Sequence, residues 1–202
     1  MTGGVVYIVD DDVALCEGLD ALIRSVGLRT RCFASVAAFV EAEREEVAGC
    51  IVLDVRLPGM SGLDFQSNLQ RFDIRLPVIV ITGFADVPMS VRAMKAGAVD
   101  FLTKPFRDQD LLDSIAMALA RDAERRAAEG NLAEIRSRYE TLTPREQQVM
   151  REVVAGRLNK QVAGDLQLSE VTVKLHRGSL MRKMGVRSLA DLVRCAELLK
   201  LA

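Results

Sequence analysis

Val5-Val6-Tyr7-Ile8-Val9, followed directly by Asp10-Asp11-Asp12, is the stretch that decides the fold. An unbroken apolar run rich in β-branched residues reads as a strand covered on both faces, and such strands belong to parallel sheets flanked by helices. The unit recurs downstream. Residues 13–26 carry Leu15, Leu19, Leu22, Ile23 and Val26 at helical spacing and stop at Gly27. Residues 28–33 form a second strand, and Ser35 caps a helix over 36–46. Residues 50–54 are a third buried strand, again ending in a carboxylate, Asp54. A loop with Pro58, Gly59, Ser61 and Gly62 leads to a helix over 63–71. Then come a strand over 77–82, a helix over 87–96 stopped by Gly97, and a short strand over 100–103. A fifth helix begins near Asp108, after Lys104-Pro105.

Five β–α repeats predict an α/β N-terminal domain: a five-stranded, parallel, doubly wound sheet of flavodoxin-like order 2-1-3-4-5. Ligands of such sheets sit at the carboxyl ends of the strands. Those ends supply Asp10, Asp11, Asp12, Asp54, Thr82 and Lys104. Adjacent carboxylates repel unless a cation neutralises them. Mg²⁺ suits the place, since it takes one or two carboxylates plus water and phosphate oxygens. Asp54 is then a nucleophile able to form an aspartyl phosphate, with the Lys104 ammonium and the Thr82 hydroxyl on the phosphoryl oxygens.

Beyond residue 108 the pattern changes. Residues 118–138 are rich in Ala, Glu and Arg, with Leu119, Leu132 and Ile135 as sparse apolar positions. They read as a long exposed helix, with a possible break at Gly130-Asn131 because Gly is a poor interior helix residue. Residues 141–202 are helical by period. Thr143-Pro144 is a cap followed by Pro at the first helical position, and Gly156 ends that helix. A short helix over 159–166 and a tight turn at Gln167-Leu168 precede a longer helix over 170–184, capped by Ser169 and stopped by Gly185. Ser188 caps a last helix through Leu199. Short helix, tight turn and longer helix make a helix-turn-helix. Charge divides along the same line. Residues 1–119 hold 11 Lys/Arg against 17 Asp/Glu, and residues 120–202 hold 16 against 11. The basic half suits a polyanion. The four cysteines, Cys16, Cys32, Cys50 and Cys195, lack metal-site spacing and read as small buried hydrophobes in a reducing cytoplasm. Met1–Gly4 runs straight into a strand, so no secretory signal is expected, and the apolar runs are too short to span a bilayer.

In combination, Val9-Asp10-Asp11-Asp12, Leu53-Asp54 with Leu57-Pro58-Gly59-Met60-Ser61-Gly62, Thr82-Gly83 and Lys104-Pro105-Phe106 resemble the receiver domain of two-component response regulators. Asp86-Val87-Pro88-Met89 through Ala93-Met94-Lys95-Ala96-Gly97-Ala98 resembles the NarL/FixJ subfamily, closer to its FixJ-like members. The resemblance implies that Asp54 takes a phosphoryl group from a sensor histidine kinase. It also implies that Mg²⁺ is held by Asp11, Asp54 and the backbone carbonyl of Arg56, with Asp10 acting through water. Thr82 and the aromatic at Phe101 would move together on phosphorylation, though Phe101 lacks the hydroxyl of the more common tyrosine. The Lys104–Pro105 bond would be cis.

Leu142-Thr143-Pro144-Arg145-Glu146, Gly156, Asn159-Lys160, Val162-Ala163, Leu166, Thr172-Val173-Lys174 with His176, and Lys183-Met184 resemble a LuxR-type helix-turn-helix. That family sets the second helix in the major groove of double-stranded promoter DNA. Helical spacing predicts Val173, Leu180 and Met184 inside and Lys174, Arg177, Gly178 and Met181 outside. Lys174, Leu175 and Gly178 match positions that approach bases, and Gly178 departs from the larger or basic residue common there. Lys160, Arg177, Arg182 and Lys183 are the expected phosphate contacts. Ser169 and Thr172, at the start of the helix, join the candidate DNA set. His176 is read either as a phosphate contact or as a hydrogen-bonded residue at the packing edge.

The expected organisation is a receiver domain over residues 1–120, a helical linker over 121–140 and a DNA-binding domain over 141–202. The expected function is that of a cytoplasmic transcription factor. It would form a homodimer when phosphorylated and engage RNA polymerase. It would be no enzyme beyond Mg²⁺-dependent self-phosphorylation and slow autodephosphorylation at Asp54. A haloacid-dehalogenase-type phosphatase would need a second Asp two residues after the nucleophile, where Arg56 stands. The alternative is a phosphorylation-switched interaction adaptor that does not bind DNA, which Gly178 keeps open.

Overall fold

The computed structural model describes residues 3–201, and the chain divides after Arg126 into two compact units. In the first, β1 (Val5–Val9), β2 (Arg29–Phe33), β3 (Gly49–Asp54), β4 (Val78–Thr82) and β5 (Asp100–Thr103) form one parallel sheet in the order β2-β1-β3-β4-β5. This is the expected α/β class and strand order. Strands β1 and β3 are buried throughout, as unbroken apolar runs require. Alternate side chains point to opposite faces of the sheet. Val5, Tyr7, Val9, Ile51, Leu53 and Val80 pack beneath α2 (Val36–Glu41), α3 (Gly62–Ser67) and α4 (Val87–Lys95). Val6, Ile8, Cys50, Val52, Ile79 and Ile81 pack beneath α1 (Val13–Ser25) and the first part of α5 (Asp108–Glu140). Register pairs Val9 with Leu53 and Asp54 with Ile81. Asp10 and Asp54 therefore emerge side by side between β1 and β3, where the strand order reverses.

Three expectations change. The second helix ends at Glu41, not at residue 46. The carboxylates that follow disfavour a helix C-terminus, which carries partial negative charge. Tertiary bonds take over instead: the Glu45 N–H donates to the Tyr7 hydroxyl at 3.0 Å, and Arg31 donates to the Glu43 carbonyl. The third helix stops at Ser67 and continues only as a 3-10 turn, Leu69–Phe72. The helix α5 runs unbroken through Gly130. A Cβ at Gly130 would meet nothing within 4 Å, so that glycine costs only its propensity, about 1 kcal/mol, which the flanking Ala, Glu and Arg offset.

In the second unit, α6 (Pro144–Val154), α7 (Asn159–Asp165), α8 (Glu170–Met184) and α9 (Leu189–Leu198) surround a core that includes Ile135, Val149, Met150, Val162, Val173, Leu180, Met184 and Leu192. Thr143 forms a capping box with Glu146, and Pro144 starts the helix. Val173, Leu180 and Met184 face inward, as their spacing predicts.

Cys16 and Cys50 are buried and Cys195 is half-buried, but Cys32 is exposed. The expectation of four buried thiols fails there because Cys32 lies on the edge strand β2. The reading of Met1 and Thr2 falls outside the described residues. Among the described residues no helix is long and apolar enough to cross a membrane.

Candidate phosphoacceptor site and nucleic-acid interface

Strand ends of the first unit bring one amine to two carboxylates. Lys104 Nζ donates to Asp54 Oδ1 at 2.7 Å and to Asp10 Oδ2 at 2.6 Å. The loop carrying Lys104 is fixed by its own N–H, which donates to the Thr82 carbonyl at 2.7 Å, and the Lys104–Pro105 bond is cis. The Arg56 N–H donates to Asp54 Oδ2 at 2.5 Å, and the Asp12 N–H donates to Asp10 Oδ1 at 2.9 Å. Asp10 and Asp54 are buried. Asp11 is exposed, and Asp12 turns away to cap α1, accepting from the Leu15 N–H at 3.1 Å. The three adjacent carboxylates therefore diverge, and only Asp10 meets the lysine. Thr82 is buried beside them, with Oγ1 accepting from the Phe84 N–H at 3.2 Å and its own proton left to donate. Phe101 is half-buried against the cluster that covers α4.

One ammonium between two buried carboxylates leaves an excess negative charge. Burial pushes the Asp54 carboxyl above its usual range, against the bond from Lys104, and the Asp10 charge adds to the rise. Burial alone would lower Lys104, but its bonds to Asp10 and Asp54 hold it above the usual value. The donors left over are hard oxygens: carboxylates and the Arg56 carbonyl. That set fits a small divalent cation such as Mg²⁺, which completes its octahedron with water and phosphate. It does not need three protein carboxylates, and among the described residues no group of three or more His, Cys, Asp or Glu is placed to hold a metal.

Two further features border the site. Arg56 and Phe84 lie two residues beyond Asp54 and Thr82, and the Arg56 guanidinium stacks 3.7 Å from the centre of the Phe84 ring. Phe84 is 62% exposed. Gly62 sits against the acceptor itself, where a Cβ would fall 2.0 Å from the Asp54 carbonyl oxygen. The glycine in the Pro58–Gly62 loop signals this only once the strand end is known to lie beneath it.

In the second unit, Lys160, Lys174, Gly178 and Arg182 are exposed on α7 and α8, Leu175 is 69% exposed and His176 is half-buried. Ser169 accepts from the Thr172 N–H at 3.1 Å, and the two hydroxyls are 2.8 Å apart. Arg177 donates to Asn159 Oδ1 at 2.6 Å and ties α8 to α7. Lys183 donates to Glu146 Oε2 at 2.7 Å and to the Thr141 carbonyl at 3.2 Å. Glu146 is buried. Burial pushes its carboxyl up, but Lys183, Ser179 and the Thr143 N–H outweigh that and bring it down to about 2.

Two families match this chain: "Response regulator receiver domain" over residues 6–116 and "Bacterial regulatory proteins, luxR family" over residues 140–196. The chain belongs to the FixJ-type response regulators. It is 52% identical over 198 residues to Nodulation protein W of Bradyrhizobium diazoefficiens, covering 98% of this chain and 87% of the relative. It is 49% identical to Response regulator protein TodT of Pseudomonas putida, covering 97% and 86%. Transcriptional regulatory protein FixJ of Bradyrhizobium diazoefficiens is 38% identical, with 96% and 95% covered. Among solved structures, the response regulator StyR superposes with a TM-score of 0.87 at 47% identity, covering 96% and 98%. Full-length FixJ from B. japonicum gives 0.59 at 37% identity, with both chains wholly covered.

This response regulator therefore pairs a receiver with a LuxR-type helix-turn-helix and acts in transcription. The geometry gathers Asp10, Asp54, Thr82 and Lys104 at one rim, with Asp11 and Arg56 at its edge. The Lys183 ammonium, expected on a phosphate, is bonded to a buried carboxylate, and a structural role is proposed for it instead. Arg177 is half committed to Asn159, and Met181 packs partly against the core.

Proposed function

We propose that Asp54 is the phosphoryl acceptor of this response regulator. The observation that carries this is the Lys104 ammonium bonded to both Asp54 and Asp10 on a rim that also holds the Thr82 hydroxyl. A carboxylate oxygen of Asp54 attacks the phosphorus of a phosphohistidine on the sensor histidine kinase. The new P–O bond forms as the P–N bond breaks, and the imidazole leaves with the electron pair and takes up a proton. Lys104 and Thr82 donate to the oxygens of the transferred group. Asp11, Asp54 and the Arg56 carbonyl would hold Mg²⁺, with Asp10 acting through water; when bound, the ion supplies neutralising charge. No other catalysis is assigned to the chain.

The functional division is a receiver over residues 1–120, a linker over 121–140 and a DNA-binding domain over 141–202. The phosphorylated form is a cytoplasmic homodimer that binds double-stranded promoter DNA and works with RNA polymerase. The candidate DNA contacts are Lys160, Ser169, Thr172, Lys174, Leu175, His176, Arg177 and Arg182. The non-DNA-binding adaptor gains no support, since the relatives that match along the whole chain include transcriptional regulators. The deciding experiment treats the protein with acetyl phosphate and Mg²⁺ and traps the acyl phosphate. The parent protein should be labelled, and chelation or Asp54→Asn should abolish the label. Equal labelling of Asp54→Asn would refute the assignment.

A further inference from the structure

Away from the acidic rim, at the opposite end of β4, the first unit contains a cleft of about 980 Å³ between the 3-10 turn, the start of β4, the end of α4 and α5. Thr82 ends the strand at the acceptor site, and Val78 begins it in the cleft, a separation on the order of 13 Å at strand rise. Five cations line the cleft, Arg75, Arg92, Lys95, Arg121 and Arg125, and no Asp or Glu does. Three of them, Arg75, Arg92 and Lys95, come from residues 1–119, where acids outnumber bases. We infer that the cleft binds a phosphorylated small molecule of nucleotide size.

The cations are not all structural. Arg92 is neutralised by Asp64 at 2.6 Å and Arg125 by Asp122 at 2.6 Å. Lys95 and Arg121 are exposed and have no acidic or hydrogen-bonding partner among the described residues. Cations in the last turn of α4 complement the helix dipole, which accounts for Arg92 and Lys95 but not for Arg75 and Arg121, which come from other elements. A neutral group completes the chemistry. Gln66 lines the cleft and is 4% exposed; its Nε2 donates to the Ala93 carbonyl at 2.9 Å, while its Oε1 has no partner. The bond to Ala93 fixes the amide and leaves Oε1 a buried acceptor without a donor at the cleft wall. Cations plus an acceptor call for a ligand with both anionic oxygens and N–H or O–H groups. Inorganic phosphate meets the first need, and a nucleotide meets both. Leu69, Leu76 and Pro77 offer apolar contact to a base, and the volume falls in the range of small-molecule sites.

The test is calorimetric titration of the full chain, unphosphorylated and in EDTA, with ATP, with GTP and with pyrophosphate as the phosphate-only probe. At least one nucleotide should bind one-to-one and saturate below about 1 mM, more tightly than pyrophosphate. Lys95→Glu with Arg121→Glu should weaken it at least tenfold, and Lys95→Gln with Arg121→Gln should do so in part. Both positions are exposed, so an unchanged circular-dichroism melt will show that the fold is intact. Asp54→Asn and Lys174→Ala should bind as the parent does, which excludes the acidic rim and the DNA helix. The inference is overturned if neither nucleotide saturates or if the charge-reversed variant keeps its affinity. It is equally overturned if pyrophosphate binds as tightly as both nucleotides.

Discussion

At the scale of single residues, the Arg56–Phe84 stack and the glycine against Asp54 make separate forecasts. The stack is expected to screen an acyl phosphate on Asp54 from water. Phe84→Ala should shorten the half-life of the acyl phosphate several-fold and leave the extent of labelling unchanged. An unaltered half-life, followed by loss of the trapped label over time, would show that the stack is no barrier. Gly62 faces the Asp54 carbonyl at a distance that no side chain tolerates. Gly62→Ala must push the strand end aside, and overpacking of this kind costs about 1–3 kcal/mol. The variant should lose labelling and show a lower urea midpoint for the receiver. A normal midpoint with normal labelling would mean that the loop yields freely.

At the scale of elements, the ion pair between α6 and α8 is the clearest case. Glu146 sits in the folded state with a pKa of about 2, below its ordinary 4.5. A depressed carboxyl contributes stability that is fully present above the unfolded value and is lost as pH falls through the folded one. The urea midpoint of the C-terminal unit should therefore fall between about pH 5 and pH 2. In Lys183→Ala the unfolding free energy should already be lower at pH 7, by about 1–3 kcal/mol since the lysine is partly exposed, and the pH slope of the midpoint should flatten. A pH-independent midpoint in the parent would refute the pairing. On the outer face of α8, Lys174 and Arg182 separate two kinds of contact. Lys174→Ala should relax base preference at one position per half-site, at about 1–3 kcal/mol. Arg182→Ala should weaken specific and scrambled DNA alike and make the salt dependence shallower by about one unit. Equal weakening of both DNAs by Lys174→Ala would turn the helix in the groove.

At the scale of the whole molecule, the phosphorylated chain is expected to dimerise through α4 and β5. Val87 is 75% exposed, Val91 45% and Met94 49% along that helix, an apolar row that a monomer leaves in water. Moving the population from about 1:99 to 99:1 takes about 5.5 kcal/mol, so the unphosphorylated chain should sediment as a monomer and the phosphorylated one as a dimer. Met94→Glu should keep it monomeric while labelling at Asp54 continues. Two recognition helices then read half-sites about 10 base pairs apart. A monomeric phosphorylated protein at micromolar concentration would remove the basis for both statements.

The sequence by itself determined the repeat. Buried β-branched runs ending at Asp10 and Asp54, and helices stopped by Gly27 and Gly97, report local periodicity and capping, which a linear chain displays openly. It likewise placed Asp10, Asp54, Thr82 and Lys104 at strand ends, which converge by topology in a doubly wound sheet. The inward face of α8 was legible for the same reason, from the spacing of Val173, Leu180 and Met184. What only the tertiary structure decided were pairings between distant segments. Lys183 looked like a DNA contact because a surface lysine on a basic helix is one, and nothing local tells that Glu146, on α6, is buried opposite it. The end of α2 depended on Tyr7 and Arg31 reaching across to the segment after Glu41. Asp12 left the acidic cluster because capping α1 satisfied it, and Gly62 leaves no room for a Cβ because the Asp54 carbonyl lies against it. Periodicity is a property of neighbours in sequence; burial of a charge and the approach of two backbones are properties of neighbours in space.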